Sequence, residues 1–287
     1  MTYTISNKYT VIEQIGEGSF GKVFLGKHIR TSENIAIKIQ FKSVVNVLQH
    51  EAKIYKELLD ISGIPILRNY GCDNGFHYLI IDKLDISLDK ANIDQIECIK
   101  YFKKSIEIVR DIHQKNILHR DIKPDNFMIK ERNGIKDLYI IDFGLAKRYI
   151  IDGNHIEEKQ DKNIIGTVKY ASVNIHNGIE SSRRDDIESL CYTYISLYGK
   201  NLPWSELCEN LKKDISGNDI SKDKIKKMKT RLDWLLDIPG EFLTILLYCR
   251  NLKFLDKPNY KYIINLLDNL ISIYNGMWIL NTKKCER

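Results

Sequence analysis

The chain has no unbroken apolar run of about 18 residues, the least a membrane-crossing helix needs, and its N-terminus shows no secretory leader pattern. A soluble protein kept inside the cell, in cytoplasm or nucleus, is the expectation. Its six cysteines, Cys72, Cys98, Cys191, Cys208, Cys249 and Cys285, are scattered, with no CxxC pair and no cluster at metal-ligand spacing. That spacing speaks against a disulfide scaffold and a cysteine metal centre, and fits free thiols in a reducing compartment. Cys191 and Cys249 lie in apolar helical stretches and read as core packing. No internal repeat is present, and Lys222–Lys229 is the one compositionally biased patch. The 287 residues, 43% hydrophobic, suffice for one domain of two lobes and leave no room for a second domain.

What is present is concentrated in a few short stretches. His119-Arg120-Asp121-Ile122-Lys123-Pro124-Asp125-Asn126 is followed, sixteen residues past Asn126, by Asp142-Phe143-Gly144. An acid, a lysine and an amide on one loop, with a second acid on the next, are what moving the γ-phosphoryl of ATP onto a hydroxyl requires. Asp121 would accept the hydroxyl proton, Asn126 and Asp142 would hold Mg2+, and Lys123 would offset charge on the phosphoryl in flight. An Asp-Phe-Gly triplet alone is weak; joined to HRDxKxxN at this spacing it is strong.

Upstream, Gly16-Glu17-Gly18-Ser19-Phe20-Gly21 and Val23 give GxGxxGxV. Such glycines let a hairpin fold over phosphates with no Cβ in the way. The same pattern can open a dinucleotide-binding βαβ unit, but Thr10–Ile12 and Lys22–Gly26 read as two strands with no helix between them. Ile35–Lys38 is a short strand ending in a lysine that can reach the α- and β-phosphates. The helix Val47–Leu59 has apolar positions 47, 48, 54, 55 and 58, which put Glu51 on the buried side. An acid there needs a partner, and Lys38 supplies one.

Strand signals fill residues 1 to about 81, ending with Tyr78–Ile81. Helical periodicity follows over Ile93–Gln114, Asp185–Tyr198, Phe242–Asn251 and Tyr260–Tyr274. The expected fold is α+β, with a small antiparallel-sheet lobe carrying one helix over 1–84 and a larger helical lobe over 85–287.

Arg120–Phe127 with Ile141–Lys147 resembles protein kinases in general, but the usual Ala-Pro-Glu is replaced by Ser172-Val173-Asn174. Ser182–Leu190 follows, then Leu202-Pro203-Trp204, Pro239–Phe242, Cys249–Phe254, Asp256–Tyr260 and Met277–Leu280. Together these resemble the casein kinase 1 family over roughly residues 9 to 280; the vaccinia-related kinases share the ending only loosely. The resemblance implies the two-lobed protein kinase fold and an ATP- and Mg2+-dependent serine/threonine protein kinase working as a monomer. It implies a nucleotide site of Ile15, Gly16, Gly18, Ser19, Gly21, Val23, Ala36, Lys38, Ile81, Asp82, Leu84 and Met128. Adenine would bond the Asp82 carbonyl and the Leu84 amide, with Ala36 and Met128 on its faces. The family's Leu-Gly-Pro-Ser-Leu is here Leu84-Asp85-Ile86-Ser87-Leu88, and Lys83 stands at a usual leucine, so the rim of the pocket should differ.

Basic residues exceed acidic ones by six, which speaks to partners and not to fold. One reading is a solvated, lysine-heavy surface. The other is a groove for acidic or already phosphorylated protein substrates, with Lys169 at a family arginine and Arg183 nearby as the anion site. Arg183 or Arg184 would be buried against Asp185 or Asp186, and Glu206, at a family glycine, opposes an anion. Lys222–Lys229 has no stacking array of aromatics beside it, which speaks against nucleic acid. Thr167 is expected beside Asp121 and Lys123, which favours Ser and Thr over Tyr and over the small-molecule kinases of the same fold. A pseudokinase scaffold is the alternative, although Lys38, Asp121 and Asp142 are all present. Glu157, Glu158 and Asp161 are expected to stand in for loop phosphorylation beside Arg120. With the sequence ending soon after Trp278, no long inhibitory tail is expected.

Overall fold

Alternation builds the first sheet. In Asn34–Phe41, Ile35 and Ile37 are buried while Ala36 and Lys38 face the other way, the period of two of a strand covered on one side. The computed structural model describes residues 3–18, 21–42, 46–199, 201–213 and 219–285, with the backbone alone for 211–213, 219–221 and 277–285. By its internal contacts the chain forms two compact units, Met1–Ser87 with Phe127–Ala146, and Leu88–Asn126 with Lys147–Arg287.

The first unit is a six-stranded antiparallel sheet of β1 (Thr4–Ile5), β2 (Tyr9–Gly18), β3 (Gly21–His28), β4 (Asn34–Phe41), β5 (Leu67–Asp73) and β6 (Phe76–Asp82), in the order β1-β2-β3-β4-β6-β5. Ile5, Tyr9, Ile35, Ile37, Phe76, Tyr78 and Ile80 form its core. Its helix among the described residues, α1 (Val47–Glu57), is capped by Asn46, whose side chain accepts from the Gln49 amide at 3.0 Å. The unit also claims the antiparallel pair Phe127–Arg132 and Ile135–Ile140, because Ile86 and Ser87 pair with Ile129 and Met128. The division in space is therefore discontinuous in sequence, unlike a boundary drawn at residue 84.

The second unit is helical: α2 (Gln95–Gln114), α3 (Val173–His176), α4 (Arg183–Leu197), α5 (Ser205–Lys213), α6 (Asp219–Thr230), α7 (Gly240–Asn251) and α8 (Tyr260–Cys285). Helix α2 starts at Gln95 and not at Ile93, because Asp94 and Glu97 close a capping box. Helix α4 starts two residues before the expected Asp185, whose carboxylate accepts the Ser182 amide at 2.7 Å. Asn259 caps α8, accepting from Tyr262 at 3.0 Å, and the helix runs on past Tyr274. Buried Phe102, Ile106, Leu190, Tyr194 and Phe242 pack α2, α4 and α7 together, with Phe102 stacked on Tyr194 at 4.8 Å. Cys98, Cys191, Cys208 and Cys249 are buried and Cys72 exposed, all unpaired by disulfides. Among the described residues, no helix is long and apolar enough to cross a membrane.

Candidate functional site

In the first unit, strand register gathers the expected nucleotide residues. Val23 lies opposite Lys38, Leu79 opposite Lys38 and Ile81 opposite Ala36. Directly paired residues share a face, so Val23, Ala36, Lys38 and Ile81 lie on the face turned away from the sheet core. Ile15 is exposed on β2, and Met128 is half-buried between buried Phe127 and Ile129. Ser19 and Phe20 lie outside the described residues. Gly21 has φ +141°, and a Cβ there would meet the Ile39 carbonyl oxygen at 2.1 Å, so the fold itself demands glycine. Gly18 differs: among the described residues a Cβ there would meet nothing within 4 Å.

Lys38 Nζ lies 2.9 Å from Glu51 Oε2 and 2.8 Å from Asp142 Oδ1. Burial works against the lysine's charge, but the two carboxylates overcome it and hold Lys38 above its ordinary pKa. Burial pushes the Glu51 carboxyl up, and Lys38 pulls it back. The acid on the apolar stripe of α1 thus has the partner its position requires. Two α1 residues that the sequence reading passed over hold the Asp142 segment. The Asp142 amide donates to the Tyr55 hydroxyl at 3.3 Å, and the Phe143 ring packs edge-on against Tyr55 at 5.0 Å. His50 Nε2 lies 2.8 Å from the Ala146 carbonyl. Tyr55 is one turn beyond Glu51 on the same face, which is the signal that could have found it.

The segment expected at the rim is tied by its own polar groups. Lys130 donates to the Lys83 carbonyl at 2.9 Å and to Asp85 at 3.2 Å, and Asp85 also accepts the Glu131 amide at 2.8 Å. Lys83 bonds the Leu84 carbonyl, and Arg68 bonds Asp82 at 2.5 Å. Among the described residues no group accepts from the Leu84 amide, which suits it to an adenine nitrogen.

In the second unit, Asp186 anchors the catalytic-type loop. Its buried carboxylate accepts the His119 amide at 2.8 Å, the Arg120 amide at 2.9 Å and a His113 bond at 3.0 Å. Burial disfavours that charge, but these donors outweigh it and keep Asp186 below the usual carboxylate range. The loop carries Arg120 at φ +66°, a strained conformation that this anchoring maintains. Asp121, 8% exposed, receives Thr167 N at 2.9 Å and Thr167 Oγ1 at 2.7 Å on Oδ1, and Lys123 at 2.8 Å on Oδ2. Lys123 also reaches Thr167 Oγ1 at 3.2 Å. Gly166, at φ +85°, permits the approach, since a Cβ would strike the Arg120 carbonyl oxygen at 2.3 Å. Asn126 Nδ2 donates to the Asp121 carbonyl at 2.8 Å and to its carboxylate at 3.3 Å. With its nitrogen committed, the oxygen end of Asn126 is the one left for a cation. That amide oxygen is a hard ligand of the kind magnesium takes.

The Ser172-Val173-Asn174 ending is explained by α4. Ser172 Oγ and Asn174 Nδ2 donate to Asp185 at 2.6 and 3.1 Å, and the Val173 amide donates to Glu188 at 3.1 Å. Burial pushes Asp185 up to about 6. Arg250 Nε donates to Glu188 at 3.3 Å, tying α7 to the same point.

Two expectations need correction. Arg183 is committed away from an anion site: it donates to the Leu255 carbonyl at 2.6 Å and lies over the Tyr149 ring at 4.7 Å. Arg184 is the buried one, 3.9 Å from Asp185. The carboxylate beside Arg120 is Glu180, at 3.9 Å, shared with Lys147 at 2.9 Å, while Glu157, Glu158 and Asp161 are exposed. The Glu180 amide donates to the Lys159 carbonyl at 2.8 Å, which seats it there. Lys169 lies 5.5 Å from the Tyr170 ring, and Glu206 is exposed. Lys229, at the end of the lysine-rich stretch 222–229, is fully buried.

Domains with this equipment generally use ATP and Mg2+ to phosphorylate proteins. Residues 9–271 match the family model of the protein kinase domain, and the chain belongs to that family.

Proposed function

We propose that the protein is a serine/threonine kinase of the casein kinase 1 type, acting as a monomer inside the cell on acidic or already phosphorylated substrates. The observation that carries this reading is the Asp121–Lys123–Thr167 constellation. Asp121 is the base for the acceptor hydroxyl, and Thr167, bonded to its Oδ1 at 2.7 Å, steadies a Ser or Thr hydroxyl beside it. Lys123, 2.8 Å from Asp121, meets the charge that builds on the transferring group. Lys38 supplies charge to the α- and β-phosphates, and its ion pair with Glu51 sets its direction. Asp142 and Asn126 would hold magnesium, which when bound neutralises phosphate oxygens. The Ser172–Asn174 ending docked on Asp185 and Glu188 supports the casein kinase 1 type over other branches.

The test is phosphotransfer from labelled ATP to casein and to matched Ser, Thr and Tyr peptides, with an aminoglycoside panel as control. Ser and Thr peptides should be labelled, and Asp121→Ala or Asp142→Ala should lower the rate by about 10² or more while the protein stays folded. Wild-type turnover in Asp121→Ala, or labelling of tyrosine alone, would sink the assignment.

A further inference from the structure

The turn that follows Thr167 is gripped from inside the second unit. It closes on itself through Tyr170 N and Ala171 N, which donate to the Thr167 carbonyl at 2.9 and 3.0 Å. Three of its carbonyls are then claimed by buried side chains. Lys229 Nζ donates to Val168 O at 2.9 Å and to Ala171 O at 2.6 Å, and Trp204 Nε1 donates to Lys169 O at 2.7 Å. His176 Nε2 approaches Val168 O at 3.3 Å. Among the described residues no acceptor takes the amides of Val168 or Lys169. With its carbonyls held inward, the turn has two N–H groups left to offer, immediately after the threonine that touches Asp121.

Lys229 is an expensive way to fill this space. Its ammonium is fully buried, 4.9 Å from the Tyr192 ring and 5.2 Å from that of Trp204. The rings and the two carbonyls satisfy it, but a buried cation seldom stabilises a fold better than a well-packed apolar side chain. What a methionine could not do is hold two carbonyls at once. We infer that Lys229 is a positioning residue for the acceptor peptide: from α6 it fixes the Thr167–Ala171 turn in the shape that binds the substrate main chain beside the target hydroxyl. This rests on the protein kinase reading proposed above. The groups facing Lys229 are Glu188 and Tyr192 of α4, Cys208 of α5, Arg250 of α7 and His176 of α3. Arg250 Nη2 donates to the Lys229 carbonyl at 2.6 Å and so seats the end of α6.

The experiment compares wild type with Lys229→Met, by steady-state kinetics on a serine peptide and by hydrogen exchange across residues 166–172. Losing the bonds from Nζ to two buried carbonyls should raise the peptide KM about tenfold, move kcat much less, and speed exchange in that segment. A general packing defect would instead lower kcat and KM-independent stability without singling out the turn. If Lys229→Met does not fold, Lys229→Gln, which keeps a neutral donor, is judged by the same two readouts and should fall between. A peptide KM within about twofold of wild type, or unchanged exchange over 166–172, overturns the inference. A wild type that labels no Ser or Thr peptide defeats the kinase-type reading instead, and exchange alone then decides whether Lys229 holds the turn.

Discussion

Replacing Glu180 by glutamine keeps the shape of the side chain and removes its charge. Glu180 is 6% exposed, with Oε2 2.9 Å from Lys147 and Oε1 3.9 Å from Arg120. The substitution takes the carboxylate charge away from both cations. Deleting one partner of a buried pair typically costs about 3–5 kcal/mol. Lys147 is 32% exposed and can turn to water, whereas Arg120, 13% exposed, cannot, so the low end applies, about 3 kcal/mol. For a domain of this size that lowers Tm by roughly 5–10 °C. Activity should fall with it, by about tenfold or more, because the Arg120 amide is part of the anchoring that places Asp121.

The acid limb gives a second reading of the same residue. Burial opposes the Glu180 charge, but the Lys147 bond and the Lys147 and Arg120 charges outweigh it and hold the carboxyl below its ordinary 4.5. A depressed acid contributes stability above its unfolded pKa and loses it as pH falls through the folded one. The gap between wild type and Glu180→Gln should therefore narrow below about pH 4.5. Calorimetry across pH, with initial rates on phosphatase-treated protein, measures both. Because the carboxylate beside Arg120 is built into the chain, the dephosphorylated wild type should be fully active. A Tm for Glu180→Gln within about 1 °C of wild type, or activity gained only after an added kinase acts, refutes the reasoning.

Other expectations follow from single groups. Lys169→Ala should reduce a preference for phosphoserine-primed over unprimed peptides that is itself about tenfold or less, since an exposed pair contributes under about 1 kcal/mol. That preference should shrink as salt rises; equal kcat/KM for both peptides in wild type would refute an anion site. Burial pushes Lys229 down to about 7 from 10.5, so between those values the unfolded chain binds the extra proton and stability rises with pH. Urea melts at pH 7 and pH 9.5 should show this rise in wild type and not in Lys229→Met, the other titrating groups cancelling in the difference; an identical pH slope in both would place the proton elsewhere.

The parts of the site legible in the sequence are those whose chemistry forces both residue type and spacing. Asp121, Lys123 and Asn126 share one loop, and the glycines sit where a hairpin tip needs them, so their relation is local. Even the Lys38–Glu51 pair was legible at thirteen residues' separation, because an acid on the apolar stripe of α1 cannot stay unpartnered. Glu180 was not: it lies sixty residues beyond Arg120 with no periodicity to mark it, and its choice of Arg120 and Lys147 over water is decided by the chain path that seats it on Lys159. Arg183 and Arg184 are adjacent and identical, and α4 alone determines that one turns toward Tyr149 and the other toward Asp185.

Lys229 shows where the remaining limit lies. Composition counts it as one more member of a lysine run, and a run of like charges normally marks a solvated face. Yet Ile225 is also fully buried, and Lys229 stands four residues after it, on the same face of α6. Helical phase was thus enough to single out the lysine that goes inside. What phase could not supply was the reason it is tolerated there, since the two carbonyls and two aromatic rings that receive it come from Val168, Ala171, Tyr192 and Trp204, brought together only by the packing of α4, α6 and the turn after Thr167. A buried charge is readable from sequence when its partner is also constrained by pattern, as Glu51 was by Lys38. When the partners are backbone carbonyls, which every residue carries, the pattern marks the position and only the fold reveals the role.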